Sequence, residues 1–459
     1  MQAPGKWGPE PAAVPSRTTA QDVDARWWKS FNDPELTSLV DRVAAQNLDL
    51  KTAAERVLQG IQQRRIAAAQ GLPNINGQGI YTRNRQSETG FVSLVEPRPG
   101  APLEYDLFQQ GLTSSWELDL FGRVRCAVES ADADTLASVE ARHDVAVSSI
   151  AELAQDYMQL RGAQARVAIT ERNLALTQRN TRLVRTRFSN GVATTLDLAQ
   201  TQAQEATIAA TLPPLRAQEA SLINAIGMLL GEQPRALETE LRRNVGQPDV
   251  PPIVPVGLPG TVVRRRPDVR QAEARLHSAT AQAGVAVADF YPDVTLNGNF
   301  NLQGLRVANV FSLPSRAFEV GPTISIPIFE GGRLRATLRL REPQQREAAI
   351  SFQKTVLQAW QDVDNALTAY AEAQRRRAQV AEAVKQNEIA LGATRQRYTE
   401  GVIDFLNVIT TQAQLLQTQN DLADNDTQIA SDLVSLYRAL GGGWDVVDYP
   451  WATAPPPSE

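Results

Sequence analysis

Cysteine, histidine and methionine are nearly missing from this chain: one, two and three respectively in 459 residues. Cys126 has no intrachain partner, so no disulfide framework is possible. Two His and one Cys leave too few ligands for a zinc site and too few groups for a Cys/His nucleophile. Three Met, one of them Met1, give no soft-metal cluster and argue against copper loading. No metal and no cofactor are expected. Long apolar runs are missing too: Leu222 to Gly231 is about the best window, far short of the roughly 18 residues that mark a membrane-crossing helix. The start, Met1-Gln2-Ala3-Pro4-Gly5, has neither the n-region nor the h-region of a signal peptide. No basic block exceeds Arg264-Arg265-Arg266 and the net charge is −5, so nucleic acid is not an expected partner. A glycine-rich phosphate loop is absent, and Gly441-Gly442-Gly443 reads as a helix stop. The acids Asp362/Asp364 and Asp421/Asp424/Asp426 sit on periodic helices and read as solvated faces. Nothing supports catalysis, so the chain is not expected to be an enzyme.

What is present is an internal repeat. Arg187-Phe188-Ser189-Asn190-Gly191-Val192 returns 210 residues later as Arg397-Tyr398-Thr399-Glu400-Gly401-Val402. Both copies run on through Leu196 or Leu406 to a shared Gln-Ala-Gln. Leu72-Pro73-Asn74-Ile75 pairs with Tyr291-Pro292-Asp293-Val294, and Phe121-Gly122-Arg123 with Phe329-Glu330-Gly331-Gly332-Arg333. Each half therefore carries half of one architecture. The halves span about 33–230 and 258–440, with 231–258 as a linker or equatorial region and 445–459 as a tail.

Four segments alternate apolar and polar residues: 74–86, 109–120, 294–304 and 318–328. Leu112, Trp116 and Leu118 oppose Thr113, Ser115, Glu117 and Asp119; Leu296, Phe300 and Leu302 oppose Asn297, Asn299 and Asn301. Period-two alternation marks strands with one apolar and one polar face. An ordinary half-buried sheet in a soluble domain explains this. So does a membrane barrel, because tilted strands of roughly 9–11 residues cross a bilayer and a polar face suits a water-filled lumen. Four strands cannot close a barrel alone, and open edges in lipid are costly. If these strands span a membrane the chain must oligomerise, and three copies give twelve strands.

The remaining stretches, about 124–188, 192–230, 333–398 and 402–440, follow 3-4-3-4 spacing, as in Leu136, Val139, His143, Ala146 and Ile150. Sustained spacing of this kind predicts coiled-coil helices, the first about 95 Å long. Gln164, Gln178, Thr181 and Gln202 make the seams weaker than a leucine zipper and suit a conduit with a wet inner face. Pro213-Pro214 is expected to break or kink the return arm. Gly191 and Gly401 supply the positive φ needed where each long helix ends and reverses.

The ordered motifs resemble the TolC-like outer-membrane factors, in particular the multidrug-efflux branch with lipid-anchored channels. They include Gly8-Pro9, Trp27-Trp28, Phe31-Asn32-Asp33-Pro34-Glu35-Leu36, Trp116-Glu117-Leu118-Asp119-Leu120-Phe121-Gly122-Arg123 and Leu212-Pro213-Pro214-Leu215. Arg265-Arg266-Pro267-Asp268-Val269-Arg270-Gln271-Ala272-Glu273 is the strongest, and Leu436-Tyr437-Arg438-Ala439-Leu440-Gly441-Gly442-Gly443-Trp444 closes the series. The resemblance implies a mainly α fold with a membrane β-barrel. In that fold a homotrimer forms a 12-stranded barrel and a long coiled-coil helical tunnel. It implies a passive exit duct in the bacterial outer membrane with a periplasmic extension. The implied partners are outer-membrane lipid, a periplasmic adaptor protein and an inner-membrane pump of the resistance-nodulation-division type. Relatives carry an acylated Cys before the Gly-Pro. This chain has none there, so a precursor with a signal and an anchor Cys is expected.

The resemblance also places a gate at the helix-turn tips. Leu406 matches an apolar ring, and Thr410 stands where relatives carry an Asp ring, so Asp404, or Asp197 on the first tip, is the substitute carboxylate. Arg395, Arg397 and Tyr398 are the nearest latch candidates, against a plain packing role for Tyr398 and Phe188 and a solvated-loop role for Asp404. Glu117, Asp119 and Glu319 on the polar strand faces would make a barrel lumen acidic and cation-preferring. The loops Glu88–Asp106 and Gly304–Arg316 would face outside. An outer-membrane duct of a type I protein exporter, and a soluble coiled-coil scaffold, remain alternatives.

Overall fold

A computed structural model of the chain describes residues 7, 16–21, 24–87, 104–243 and 246–446. The strands are β1 (Arg17–Thr19), β2 (Asn74–Arg85), β3 (Glu104–Leu118), β4 (Ile253–Pro255), β5 (Asp293–Gly304) and β6 (Arg316–Ser325). The helices are α1 (Pro34–Gln46), α2 (Leu48–Ala69), α3 (Arg123–Ser189), α4 (Thr195–Leu229), α5 (Glu238–Leu241), α6 (Pro259–Arg265), α7 (Pro267–Ala288), α8 (Val307–Val310), α9 (Arg333–Thr399) and α10 (Phe405–Ala439). Gly8-Pro9, the Glu88–Asp106 loop up to residue 103 and the tail from 447 lie outside the described residues. Two compact units divide the chain. The first is Met1–Arg56, Val139–Gln271 and Gln353–Glu459; the second is Val57–Ser138 and Ala272–Phe352.

The core of the first unit starts at a cap. Asn32 adopts the left-handed region (φ 52°) after the 3₁₀ turn Trp27–Phe31. Asp33 then accepts from the N–H groups of Glu35 (2.8 Å) and Leu36 (3.0 Å), and Pro34 takes the first helical position, where no N–H is needed. This cap aims α1 so that Leu36, Leu39, Val40 and Val43 are all buried. They join Ile150 and Leu153 of α3, Ile226 of α4 and Leu433 of α10 in one cluster, where Trp27 stacks on Tyr437 at 5.0 Å. Within this cluster Arg161 has no exposed surface. It pairs with Glu35, donates to Gln164 Oε1 (2.7 Å) and to the Arg243 carbonyl (2.9 Å), and lies 4.7 Å from the Tyr157 ring centroid. Tyr157 in turn donates to Asp33 at 2.7 Å, so the cap and the buried charge share one network. Within the linker, β4 pairs in parallel with β1.

The hairpins α3–α4 and α9–α10 are stitched by amides and hydroxyls. Asn173 donates to Gln419 (3.2 Å), Asn180 to Gln412 (3.0 Å), Gln412 to Thr177 (2.9 Å) and Asn387 to Thr418 (3.2 Å). Thr181 and Gln164 are buried, while Gln202 is exposed in the single chain. The expected break at Pro213-Pro214 does not occur: α4 runs through both prolines. Leu212 and Leu215 beside them are buried, while Ala210, Pro213 and Pro214 face outward. Packing on one side holds the helix, and solvent can take the carbonyls freed on the other.

In the second unit a four-stranded antiparallel sheet has the order β2-β3-β5-β6. The register puts like with like. Leu112 faces Phe300, which faces Phe318; Trp116 faces Leu296; Thr113 faces Asn299, which faces Glu319. The apolar face is open in the single chain, with Leu112, Phe300, Phe318, Val320 and Ile324 all exposed. β3 starts at Glu104, five residues before the expected 109 and inside the expected outer loop, and two strands end short of expectation. β3 stops at Leu118, because Asp119 turns to bind the start of α3. β6 stops at Ser325, opposite Asp293, the first residue of β5, so Ile326 and Ile328 have no partner, and Pro327 has no N–H to offer.

Removing the Arg161 side chain leaves Glu35 and Gln164 without their buried partner. Arg161→Ala is expected to cost about 3–5 kcal/mol, read as a lowered Tm of the detergent-solubilised protein. Arg161→Lys should recover only part, since an ammonium cannot serve the same forked partners. An unchanged Tm in the alanine variant would contradict this role.

Candidate functional site

Both hairpin tips close in the same way. At the first, the N–H of Gly191 bonds to the Phe188 carbonyl (3.0 Å) and that of Val192 to the Arg187 carbonyl (2.8 Å). At the second, Gly401 bonds to Tyr398 (3.0 Å) and Val402 to Arg397 (3.0 Å). These pairs make a Schellman stop, with each glycine left-handed at φ +71° and +77°. An L side chain there strains the backbone, which is why glycine stands at both reversals.

The tips differ in how the next helix begins. Thr194 caps α4 by a reciprocal box: its hydroxyl accepts the Asp197 N–H (3.2 Å), and Asp197 Oδ2 accepts the Thr194 N–H (2.9 Å) and hydroxyl (2.7 Å). The carboxylate of Asp197 is therefore committed to its own helix. At the same place in the second repeat the acid has moved to the cap itself. Asp404 is exposed and its side chain makes no cap hydrogen bond. Asn407, the counterpart of Asp197, donates only to the Asp404 carbonyl, at 3.4 Å. Leu406 is 51% exposed, and the Thr410 hydroxyl is spent on the Leu406 carbonyl at 2.9 Å.

Tyr398 belongs to a small apolar cluster at this end of the hairpins. Val184, Leu391, Phe405 and Val408 are buried there, with the Tyr398 and Phe405 rings 5.0 Å apart. The guanidinium of Arg187 sits 5.1 Å from the centroid of the Tyr398 ring. Arg187 thus joins the first hairpin to the second, whereas Arg395 and Arg397 form no ion pair among the described residues. The residue was within reach of sequence reasoning, since it is the repeat mate of Arg397, but nothing in its spacing identifies a tyrosine 211 residues away.

On the sheet, Glu319 accepts from Asn299 at 3.1 Å, and Asn297 donates to Thr323 at 3.0 Å. These groups and Asn76, Thr113 and Ser115 line a polar hollow on the strand face. The other two acids are differently employed. Glu117 pairs with Arg123, and Asp119 accepts from the N–H groups of Val124 (3.1 Å) and Arg125 (2.8 Å). Asp119 therefore lies beyond the strand and caps α3.

The Arg265-Arg266-Pro267-Asp268 motif is a clamp in the first unit. Arg266 pairs with Asp268 (2.7 Å) and Asp362 (3.1 Å) and donates to the Ala439 carbonyl near the end of α10 (3.1 Å). These residues and Asp144 line a cavity of about 650 Å³. Burial pushes the Asp144 carboxyl above its usual range, helped by Asp268 and opposed by Arg266 and Arg438.

A family model described as outer membrane efflux protein matches residues 39–232 and 258–442. The chain is 32% identical to the outer membrane protein OprJ of Pseudomonas aeruginosa, over 92% of this chain and 87% of that one. It is 30% identical to the solvent efflux pump outer membrane protein SrpC of Pseudomonas putida, over 91% and 87%. The solved outer-membrane channel OprN superposes with a TM-score of 0.89 at 32% identity, covering 97% of this chain and 98% of that one.

Asp119→Ala is expected to cost about 1 kcal/mol through the lost cap on α3. Thermal unfolding reads the loss, and an Asp119→Asn variant should lose less. Equal Tm values for all three proteins would show that the cap contributes nothing.

Proposed function

Since this chain belongs to the outer membrane efflux protein family, and is the outer-membrane channel component of an efflux system, we propose that it works as a passive homotrimeric duct with a periplasmic gate. One observation carries the assembly: β2 and β6 are the outer strands of a sheet whose apolar face is open. In lipid those edges need partners, and three copies of four strands give a twelve-stranded barrel. The hairpins extend into the periplasm as the tunnel wall. A periplasmic adaptor and an inner-membrane pump of the resistance-nodulation-division type deliver cargo and energy. The cargo is a set of small amphiphiles, in keeping with the solvents that SrpC is named for. A soluble scaffold has no use for an exposed apolar sheet face.

The gate lies at the second tip. Leu406 supplies an apolar ring, and Asp404, whose carboxylate makes no cap hydrogen bond and no ion pair among the described residues, supplies the charged one. Asp197 is a cap and Thr410 carries no charge, so neither replaces it. Arg187 on Tyr398 is the latch between hairpins, ahead of Arg395 and Arg397. Glu319 is the lumen acid, with Glu117 neutralised by Arg123.

Planar-bilayer recording tests this. Asp404→Ala and Leu406→Ser should each raise the resting conductance; unchanged leak in both sinks the gate. A cation–π contact of this kind is worth about 0.5–1 kcal/mol, so Arg187→Ala should shift opening about two- to fivefold per copy. In a salt gradient the wild type should prefer cations and Glu319→Gln should weaken that preference. An anion-selective reversal potential in the wild type would refute the acidic lumen.

A further inference from the structure

The second repeat leaves a buried hydrogen-bond donor bare where the first repeat satisfies it. Gln164 on α3 and Gln374 on α9 stand 210 residues apart, the offset of the repeat, and each is 4% exposed. Gln164 is used at both ends. Its Oε1 accepts from Arg161 (2.7 Å), and its Nε2 donates to Glu219 (3.0 Å) and to the Leu241 carbonyl (2.7 Å). Gln374 Oε1 accepts the Ser16 N–H at 3.0 Å, which fixes the orientation of the amide, since only the oxygen can accept. The Nε2 at the other end has no partner among the described residues. Leaving a buried donor unpaired is costly, and folded proteins seldom do so.

What replaces the lost partners is a hollow. The repeat mate of Glu219 is Ile429, which is buried in the core cluster and offers no acceptor. Gln374 and Ile429 line a cavity of about 400 Å³ between the linker, α9 and α10, all within the first unit. That volume falls in the roughly 300–1,000 Å³ of small-molecule pockets. Pro248, Pro251 and Ile429 are buried apolar walls, and Gln247 brings a second buried Nε2 with no partner among the described residues. The nearby acceptors are spent, the Pro251 carbonyl on the Ser16 hydroxyl (2.6 Å) and Asp426 on Arg377. Two bare donors beside apolar walls call for a ligand with acceptor oxygens. Asp249, on the exposed side, adds a negative charge beyond the Arg377–Asp426 pair and disfavours an anion.

We propose that this hollow binds a small uncharged molecule through amide or carbonyl oxygens, one of which takes the place that the Leu241 carbonyl holds in the first repeat. Gln374 and Gln247 donate to those oxygens, and an amide N–H of the ligand has Asp249 to donate to. The apolar body lies against Pro248, Pro251 and Ile429. The site is independent of the duct reading, and its occupant ties the linker to the second hairpin.

The test uses the full-length detergent-purified protein and three related probes: N-acetylalanine amide, which is neutral, N-acetylalanine, an anion, and alanine amide, a cation. Saturation-transfer NMR reads their binding. The neutral probe should bind with about millimolar affinity, in keeping with its few atoms, and about fivefold more tightly than either charged one. Gln374→Glu keeps an acceptor for Ser16 and removes the donor, so it should abolish binding. Gln247→Leu, at a half-buried position that the fold tolerates more easily, should weaken binding about five- to tenfold. A wild type that binds no probe, binding that survives both substitutions, or a charged probe that binds as tightly would overturn the site. So would a crystal structure of the probe-soaked protein in which only water, a neighbouring copy or the chain's own residues fill the hollow.

Discussion

The structure depends on a backbone constraint: a sheet with two open edges and an apolar face cannot stand alone in lipid. Each unpaired N–H or C=O in the hydrocarbon region costs several kcal/mol. The order β2-β3-β5-β6 leaves two rows of such groups. The register then aligns Leu112, Phe300 and Phe318 on one face and Thr113, Asn299 and Glu319 on the other, so the whole sheet has one lipid-compatible side and one wet side. A one-residue slip would exchange the two. Closure by other copies answers the edges and the faces together.

Duplication explains how one chain makes this economically. The Schellman stops at Gly191 and Gly401 are the same device used twice. The copies part company at the start of the return helix. The acid that caps α4 from within, Asp197, has its counterpart in Asn407, and the free acid has moved to Asp404. Arg172, Arg179 and Arg182 of α3 stand where α9 has Glu382, Ile389 and Gly392. The two hairpins share a scaffold and differ in the side chains it carries.

Legibility followed the range of the interaction. Period-two alternation and heptad spacing are local, so strands and long helices could be located, as could both tip glycines. Strand ends depend on what lies beyond the strand: β3 finishes two residues early because Asp119 caps α3, and β6 three residues early because β5 begins opposite Ser325. Pro213-Pro214 reads locally as a break; the burial of Leu212 and Leu215 overrides it. Asp119 alternates like a lumen residue, yet the bare N–H groups at the start of α3 claim it. The contact of Arg187 with Tyr398 spans the repeat and has no local signature.

The most direct measurement is disulfide trapping between sheet edges. Cysteine pairs would be placed one on β2 and one on β6 in a background lacking Cys126, and the detergent-solubilised protein would be oxidised and sized. Closure of three copies predicts a ladder that ends at a covalent trimer. A protein that remains monomeric for every pair, or a ladder that continues past three, would contradict it.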